Sequence, residues 1–498
     1  MNQIDCDNSL DSSQRHIARN FLLLSAGLVL ANLAMFGSNA LLGRFWGPHE
    51  YSKFAFIMSV VNTTTMLADN GLSMALTKRL AEALGKQLGD AEIKLLVRKF
   101  QRTIYINAAV GSVCAGFIIL IFTYSLGELF DIAKGCIGFW VFVPVVAASV
   151  IAVFNAFESM SYSFVLYSLQ EPVKFLVVIA LWILGDLTFD SLAIFWTVIY
   201  LLDLIVASGL INRFLTRRLG VMPKISWRKG LLWSQWQEGL LYFLPTYGRI
   251  ILPSIVVIIL GIVSIENEVS WFAASASLTA FTFLILQPLT NTLFPTLTNR
   301  YARTGEVMTP ANGERLLYVL FLGSLGILLV FYGVRSWALE LTYGVEFIPA
   351  EGVVIILALA NFFEAMRIGG DLLLNSMGLV DIVSLLELVR YIILIPAVFV
   401  LGKLYGAMGA AVTVLFTSAA SSAVRLILVE RRLKIHTSAM ILMTLALGGG
   451  VFYCWSAHVS SRYVILLALV LTVGFGKFSQ MDWRLFKSGV TGKHGSEK

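Results

Sequence analysis

About fourteen apolar stretches, each roughly twenty residues long, run through this chain of 498 residues, and the Lys and Arg residues between them gather in every second loop. A helix of about 20 apolar residues crosses a hydrocarbon core about 30 Å thick. No water reaches that core, so only elements that satisfy their own backbone hydrogen bonds can cross it. The pattern predicts an all-α polytopic membrane protein with spans near 17–42, 52–77, 103–125, 137–158, 163–185, 191–211, 239–262, 269–293, 315–333, 350–374, 381–402, 406–428, 438–456 and 462–478.

With the N-terminus placed in the cytoplasm, and residues at span ends counted with the side they face, the inner segments hold 27 of the 37 Lys and Arg residues. The outer loops hold six, and four lie deep within spans. This excess is the positive-inside signature, and it predicts a bacterial inner-membrane protein with both termini cytoplasmic. A content of 58% hydrophobic and 13% charged residues departs from the roughly 25% charged residues of soluble domains. The net charge of +7 is accounted for by basic segments at 78–102 and 212–229 facing anionic lipid heads, which excludes a nucleic-acid-binding role. The polar first twenty residues predict no cleaved signal peptide. Cys6, Cys114, Cys136 and Cys454 are scattered and read as core or tail thiols. The five His residues form no cluster, so neither a metal nor a cofactor is expected.

An internal repeat organises the chain. Without a gap, Leu42, Gly43, Glu50, Ser52, Phe54, Ala55 and Ser59 match Leu260, Gly261, Glu268, Ser270, Phe272, Ala273 and Ser277, seven identities in eighteen positions at an offset of 218. Both copies start inside and turn outside, so the halves are parallel repeats about an axis along the membrane normal. The expected architecture is two pseudo-symmetric six-helix lobes plus two extra C-terminal helices: an N-terminal lobe (1–211), a cytoplasmic amphipathic linker rich in Trp and basic residues (212–238), a C-terminal lobe (239–430), and helices 13 and 14 with a tail (431–498). A duplication of this kind fits a transporter whose substrate lies between two bundles, and it also fits a duplication kept only for packing.

Four sets of residues resemble a known family. Residues 42–82 carry Leu42, Gly43, Gly47, Pro48 and Tyr51, then Asp69, Gly71 and Leu72, then Lys78 and Arg79. With the segments 293–306, 341–350 and 405–412, they resemble polysaccharide-biosynthesis membrane proteins, the O-antigen repeat-unit flippases of the multidrug/oligosaccharidyl-lipid/polysaccharide exporter superfamily. The resemblance implies a non-enzymatic flippase that moves an undecaprenyl-pyrophosphate-linked oligosaccharide from the inner to the outer leaflet by alternating access, for O-antigen or exopolysaccharide synthesis. It also implies work beside a polysaccharide polymerase and a chain-length regulator. A membrane-embedded glycosyl polymerase or ligase is one alternative, and a drug/cation antiporter of the same superfamily is another.

Intramembrane charges supply the candidate site residues, because a charge at a helix centre costs about 2.5–3.5 kcal/mol on insertion scales. Four cations lie at that depth: Lys174, Arg249, Arg367 and Arg390. Glu171 stands at helical spacing from Lys174, Glu364 and Asp371 from Arg367, and Glu387 from Arg390, so internal neutralisation competes with substrate binding for these three. Arg249 has Pro245, Thr246, Leu252 and Pro253 at those spacings and no acid. Prolines kink helices, and broken helices at the midplane hold transporter sites. The planar fork of Arg suits pyrophosphate, so Arg249 is the leading substrate contact, with pairing to an acid such as Asp203 as the competing reading. Asp203, Glu364, Asp371, Glu387 and Asp69 are candidates for proton coupling, Asp203 first because its own helix offers it no cation at short spacing, with a cross-helix salt bridge to Lys174 or Arg249 as its competing and favoured reading.

Overall fold

In the computed structural model, the structure describes residues 3–125, 137–157, 159–221, 233–264, 266–283, 293, 297, 298, 300, 301 and 306–433. The expected spans near 438–456 and 462–478 lie outside the described residues, as do 222–232 of the expected linker. The described chain is helical: α1 (Gln3–Asp69), α2 (Leu72–Gly85), α3 (Asp90–Ser125), α4 (Ile137–Ala156), α5 (Met160–Leu184), α6 (Phe189–Leu219), α7 (Trp233–Val263), α8 (Glu266–Thr279), α9 (Pro310–Thr342), a 3-10 turn (Val345–Ala350), α10 (Glu351–Ser376) and α11 (Val380–Leu433).

Two of these helices are broken, and each break separates two expected spans. Gly47 (φ 71°, ψ 176°) interrupts α1, and Pro48 after it lacks the N–H that would continue the ladder. Gly406 (φ 58°, ψ −140°) interrupts α11. The second arm of α11 then starts with the Ala407 N–H donating 2.7 Å to the Glu268 carboxylate of α8, an anion at a helix N-terminus. Glu50, the repeat counterpart of Glu268, instead accepts from Lys53 on its own helix at 3.2 Å. The repeated sequence thus serves different contacts in the two lobes.

The basic segments expected on the inner side are helical in their described parts. α3 begins at Asp90, with Asp90 and Glu92 in its first turn, where acids complement the helix dipole. α6 starts with Thr188 accepting from the Ser191 N–H at 3.2 Å and ends with Arg217 and Arg218 in its last turn. Cations there stabilise the C-terminus, so 212–219 extend α6, and 233–238 open α7. The amphipathic linker expected at 212–238 is helical at both of its described ends, 212–219 and 233–238. The outer segment 334–349 is likewise ordered as the end of α9 and the 3-10 turn.

Pairings recur in the two lobes. α1 packs on α5 and α3 on α4 in the N-terminal lobe; α7 packs on α11 and α9 on α10 in the C-terminal lobe. The lobes meet mainly where α1 and α2 lie against α7 and α8. Each lobe buries large apolar side chains, Trp140 and Phe154 in one and Phe321 and Phe362 in the other. Val113, Phe117 and Ile121 on α3 and Ile392, Ile393 and Phe399 on α11 stand exposed. Such apolar faces would be a liability in water and are the expected surface against lipid tails. Cys114 is also exposed on α3 and is not a core thiol, since a lipid-facing surface accepts a small apolar thiol as readily as a protein interior does.

Gly406 is one position where the backbone leaves little choice. Its dihedrals are accessible to glycine at low cost, and a Cβ there would fall 2.4 Å from Glu268 Oε2. Gly406→Ala is expected to cost about 1–3 kcal/mol in strain and to disturb the Glu268 cap. In detergent it should lower the thermal midpoint by several degrees; an unchanged midpoint would show that the turn does not require this conformation.

Candidate functional site

The C-terminal lobe gathers six of its charged side chains into one cluster. Glu364, Arg367 and Asp371 share a face of α10; Glu387 and Arg390 lie on the first arm of α11, and Arg425 on the second. Arg367 donates to Glu364 at 2.7 Å and to Asp371 at 2.5 Å. Arg390 reaches across to Glu364, and at 3.4 Å to Glu387. Arg425 donates to Asp371 at 2.5 Å and to Glu387 at 2.8 Å. Ser418 donates to Glu364 at 2.7 Å and accepts from Arg390 at 2.9 Å. Three guanidiniums face three carboxylates, and the cluster is electroneutral. All six are largely removed from solvent, Arg425 completely.

The cluster reaches α7 through Glu387 and Tyr391. A Cβ on Gly248 would lie 2.8 Å from Glu387 Cγ. Tyr391 donates from its hydroxyl to the Gly248 carbonyl. Arg249 follows directly in the α7 backbone; its side chain lies outside those described. Tyr247, on the other side of Gly248, donates to Asp69 of the N-terminal lobe at 2.9 Å. Residues 247 and 248 therefore link the ion cluster of one lobe to an acid of the other.

In the N-terminal lobe, Lys174 of α5 donates to Glu171 at 2.9 Å and to the Tyr200 hydroxyl at 2.9 Å. Its ammonium also lies 5.2 Å from the Trp196 ring centroid. Asp203 is one turn along α6 from Tyr200, buried, and among the described residues no ion pair within 4.0 Å joins it to Lys174. The structure thus brings together Glu364, Arg367, Asp371, Glu387 and Arg390, places Lys174 near Asp203, and puts Asp69 apart at the lobe interface.

Contacts join the lobes at two places along that interface, one at the end the basic asymmetry predicts to be inner and one at the end it predicts to be outer. At the inner end Asp69 also accepts from Ser73, Asn70 donates to the Trp236 carbonyl at 3.2 Å, and Arg79 pairs with Glu238. Lys78 donates to Tyr242 at 2.7 Å, and Thr103 to Gln235 at 2.8 Å. Backbones touch there: a Cβ on Gly71 would sit 2.3 Å from the Gly239 carbonyl oxygen, so only glycine fits. At the outer end Arg44 donates to the Leu341 carbonyl at 2.6 Å. Tyr51 packs on Tyr343 and Phe347 with ring centroids 5.8 and 5.9 Å apart, and Phe36 on Phe281 at 4.6 Å.

Arg425, Tyr247, Ser418 and Tyr391 were not singled out from the sequence. Arg425 lies near the end of its expected span and counts in the sequence as a positive-inside residue; its acid partners are 38 and 54 residues away. Deleting one partner of a buried ion pair costs about 3–5 kcal/mol, because the other charge is left unmatched. Arg425→Ala should therefore lower the thermal stability of the detergent-solubilised protein by about that amount. Adding Asp371→Asn should restore part of it. A neutral Arg425→Ala would show that the cluster does not hold α10 to α11.

Comparison with known proteins agrees with this architecture. A family model described as polysaccharide biosynthesis protein matches residues 17–300. Among solved structures, lipid II flippase MurJ in an inward closed conformation aligns over 92% of this chain and 98% of its own, at 10% identity and a TM-score of 0.62. A point mutant of the Vibrio cholerae MATE transporter VcmN aligns over 85% and 98%, at 13% identity and a TM-score of 0.57. An inward-facing multidrug resistance MATE family transporter of the MOP superfamily aligns over 82% and 98%, at 13% identity and a TM-score of 0.56. A search of curated proteins found no match. The chain belongs to the polysaccharide biosynthesis protein family and is a multi-pass membrane protein with the fold shared by MATE transporters and MurJ.

Proposed function

We propose that this protein is a flippase that carries an undecaprenyl-pyrophosphate-linked oligosaccharide from the cytoplasmic to the outer leaflet of the bacterial inner membrane, for O-antigen or exopolysaccharide synthesis. The reading places both termini in the cytoplasm and involves no catalysed bond change. A polymerase and a chain-length regulator would receive and process the product.

One observation carries this reading: two lobes joined at an interface that is closed at each end by a separate set of breakable contacts. A hydrogen bond to a charged group is worth about 1.5–3 kcal/mol, and an exposed pair such as Arg79–Glu238 about 0–1 kcal/mol. Substrate binding can reverse sums of that size, since moving a two-state equilibrium from 1:99 to 99:1 takes about 5.5 kcal/mol. The C-terminal ion cluster loses about 3–5 kcal/mol for each partner removed, so each lobe moves as a body and the interface opens.

Within this scheme Arg249 contacts the pyrophosphate from α7. Lys174, Arg367 and Arg390, each matched by acids of its own lobe, meet substrate only in a conformation that opens those pairs. Asp203 and Asp69 are the proton-coupling candidates left outside such ion pairs among the described residues, while Glu364, Asp371 and Glu387 are held by arginines. A drug/cation antiporter would share the fold, and Arg249 at mid-helix stands against a cationic cargo.

Deleting the gene should leave lipid-linked repeat units on the cytoplasmic leaflet and remove surface polysaccharide. Normal surface polysaccharide would reject the reading. Arg249→Ala should lower flipping at least tenfold, and Arg249→Lys less, at unchanged amounts of inserted protein. Full activity in both would remove Arg249 from the site. Collapsing the proton gradient should slow transport; an unchanged rate would discard proton coupling.

A further inference from the structure

At the end of the N-terminal lobe that the proposed function places in the cytoplasm, away from the lobe interface, lies a cavity of about 230 Å³ lined by Ser159, Tyr162, Leu210, Arg213, Phe214, Arg217 and Arg218. Its floor is a rigid aromatic cluster. Phe214 packs on Tyr162, Phe154 and Phe157 with ring centroids 5.5, 5.2 and 5.4 Å apart. Its rim is three exposed arginines at the end of α6, none of which forms an ion pair with an acid among the described residues. The volume is below the roughly 300–1,000 Å³ of pockets for drug-sized ligands, so it fits a small headgroup and not an oligosaccharide.

The same face of α6 carries a second feature. Leu202, Val206, Leu210, Arg213 and Arg217 recur every three or four residues, so they form one stripe along the helix. Leu202 and Val206 are exposed, as is the adjacent Ile205. One side of the helix thus passes from an exposed apolar surface to a headgroup-sized cavity rimmed by cations. The geometry points to a binding site for an anionic phospholipid of the inner leaflet, its phosphate between Arg213, Arg217 and Arg218 and its acyl chains along Leu202, Ile205 and Val206. Guanidinium forks pair with phosphate oxygens, and the Tyr162 hydroxyl at the cavity wall adds a donor. A free soluble phosphate would use the arginines but leave the apolar stripe without a role.

The test uses the full chain in detergent, with dioctanoyl phosphatidylglycerol as probe and bound lipid read by native mass spectrometry. Each basic residue near an anionic headgroup contributes about 1 kcal/mol, or roughly fivefold. Phosphatidylglycerol should bind at least tenfold more tightly than dioctanoyl phosphatidylcholine. Arg213→Gln, Arg217→Gln and Arg218→Gln together should weaken it on the order of a hundredfold. Equal affinity in the triple variant overturns the site. Displacement of the lipid by an equal concentration of inorganic phosphate overturns the assignment to lipid. A second measurement needs no variant: a photoactivatable phosphatidylglycerol should label 159–162 or 202–218 of the unaltered protein, and labelling confined elsewhere overturns the site.

Discussion

A guanidinium inside a bilayer has no water to share its charge, so it must meet an acid, a hydrated cavity or the membrane surface. The C-terminal lobe is organised by the first solution. Arg367 bridges three acids, Arg390 and Arg425 bridge two each, and every acid is shared by at least two arginines. The cluster ties α10 to both arms of α11 across the break at Gly406. Removing any one member strands a charge in a low-dielectric interior. The lobe is therefore rigid for an electrostatic reason as well as through its apolar packing.

Rigidity inside the lobe moves the available motion to the surface between lobes. Among the described residues, hydrogen bonds, the half-exposed Arg79–Glu238 pair and aromatic contacts cross that surface, each worth less than the cluster. α7 stands where the two regimes meet. Its Gly248 lies against Glu387 of the cluster, and its Tyr247 reaches Asp69 of the other lobe. A tilt of α7 would change the lobe contact and the surroundings of Arg249 together.

The membrane class and the break at Gly47–Pro48 were legible in the sequence because they follow from local features: apolar length and glycine before proline. Pairs at helical spacing were legible for the same reason, and Lys174–Glu171, Arg367–Glu364 and Arg390–Glu387 lie within contact distance. Cross-helix partners were not. Nothing local marks Arg425 as the partner of Asp371 and Glu387, or Tyr247 as the partner of Asp69, since those contacts depend on how separate helices pack. Helix ends were also misjudged where charged residues continue a helix into the aqueous layer, as at Asp90 and Arg217. Hydropathy marks where the membrane ends, not where the helix ends.

The most direct test of the account is a pair of distance measurements on one preparation. Spin labels across the inner closure, at Arg79 and Glu238, and across the outer closure, at Arg44 and Leu341, would be followed with and without lipid-linked oligosaccharide. The account predicts that the two distances change in opposite senses, one end opening as the other closes. Substrate translocation with both distances unchanged, or with both ends open at once, would contradict it.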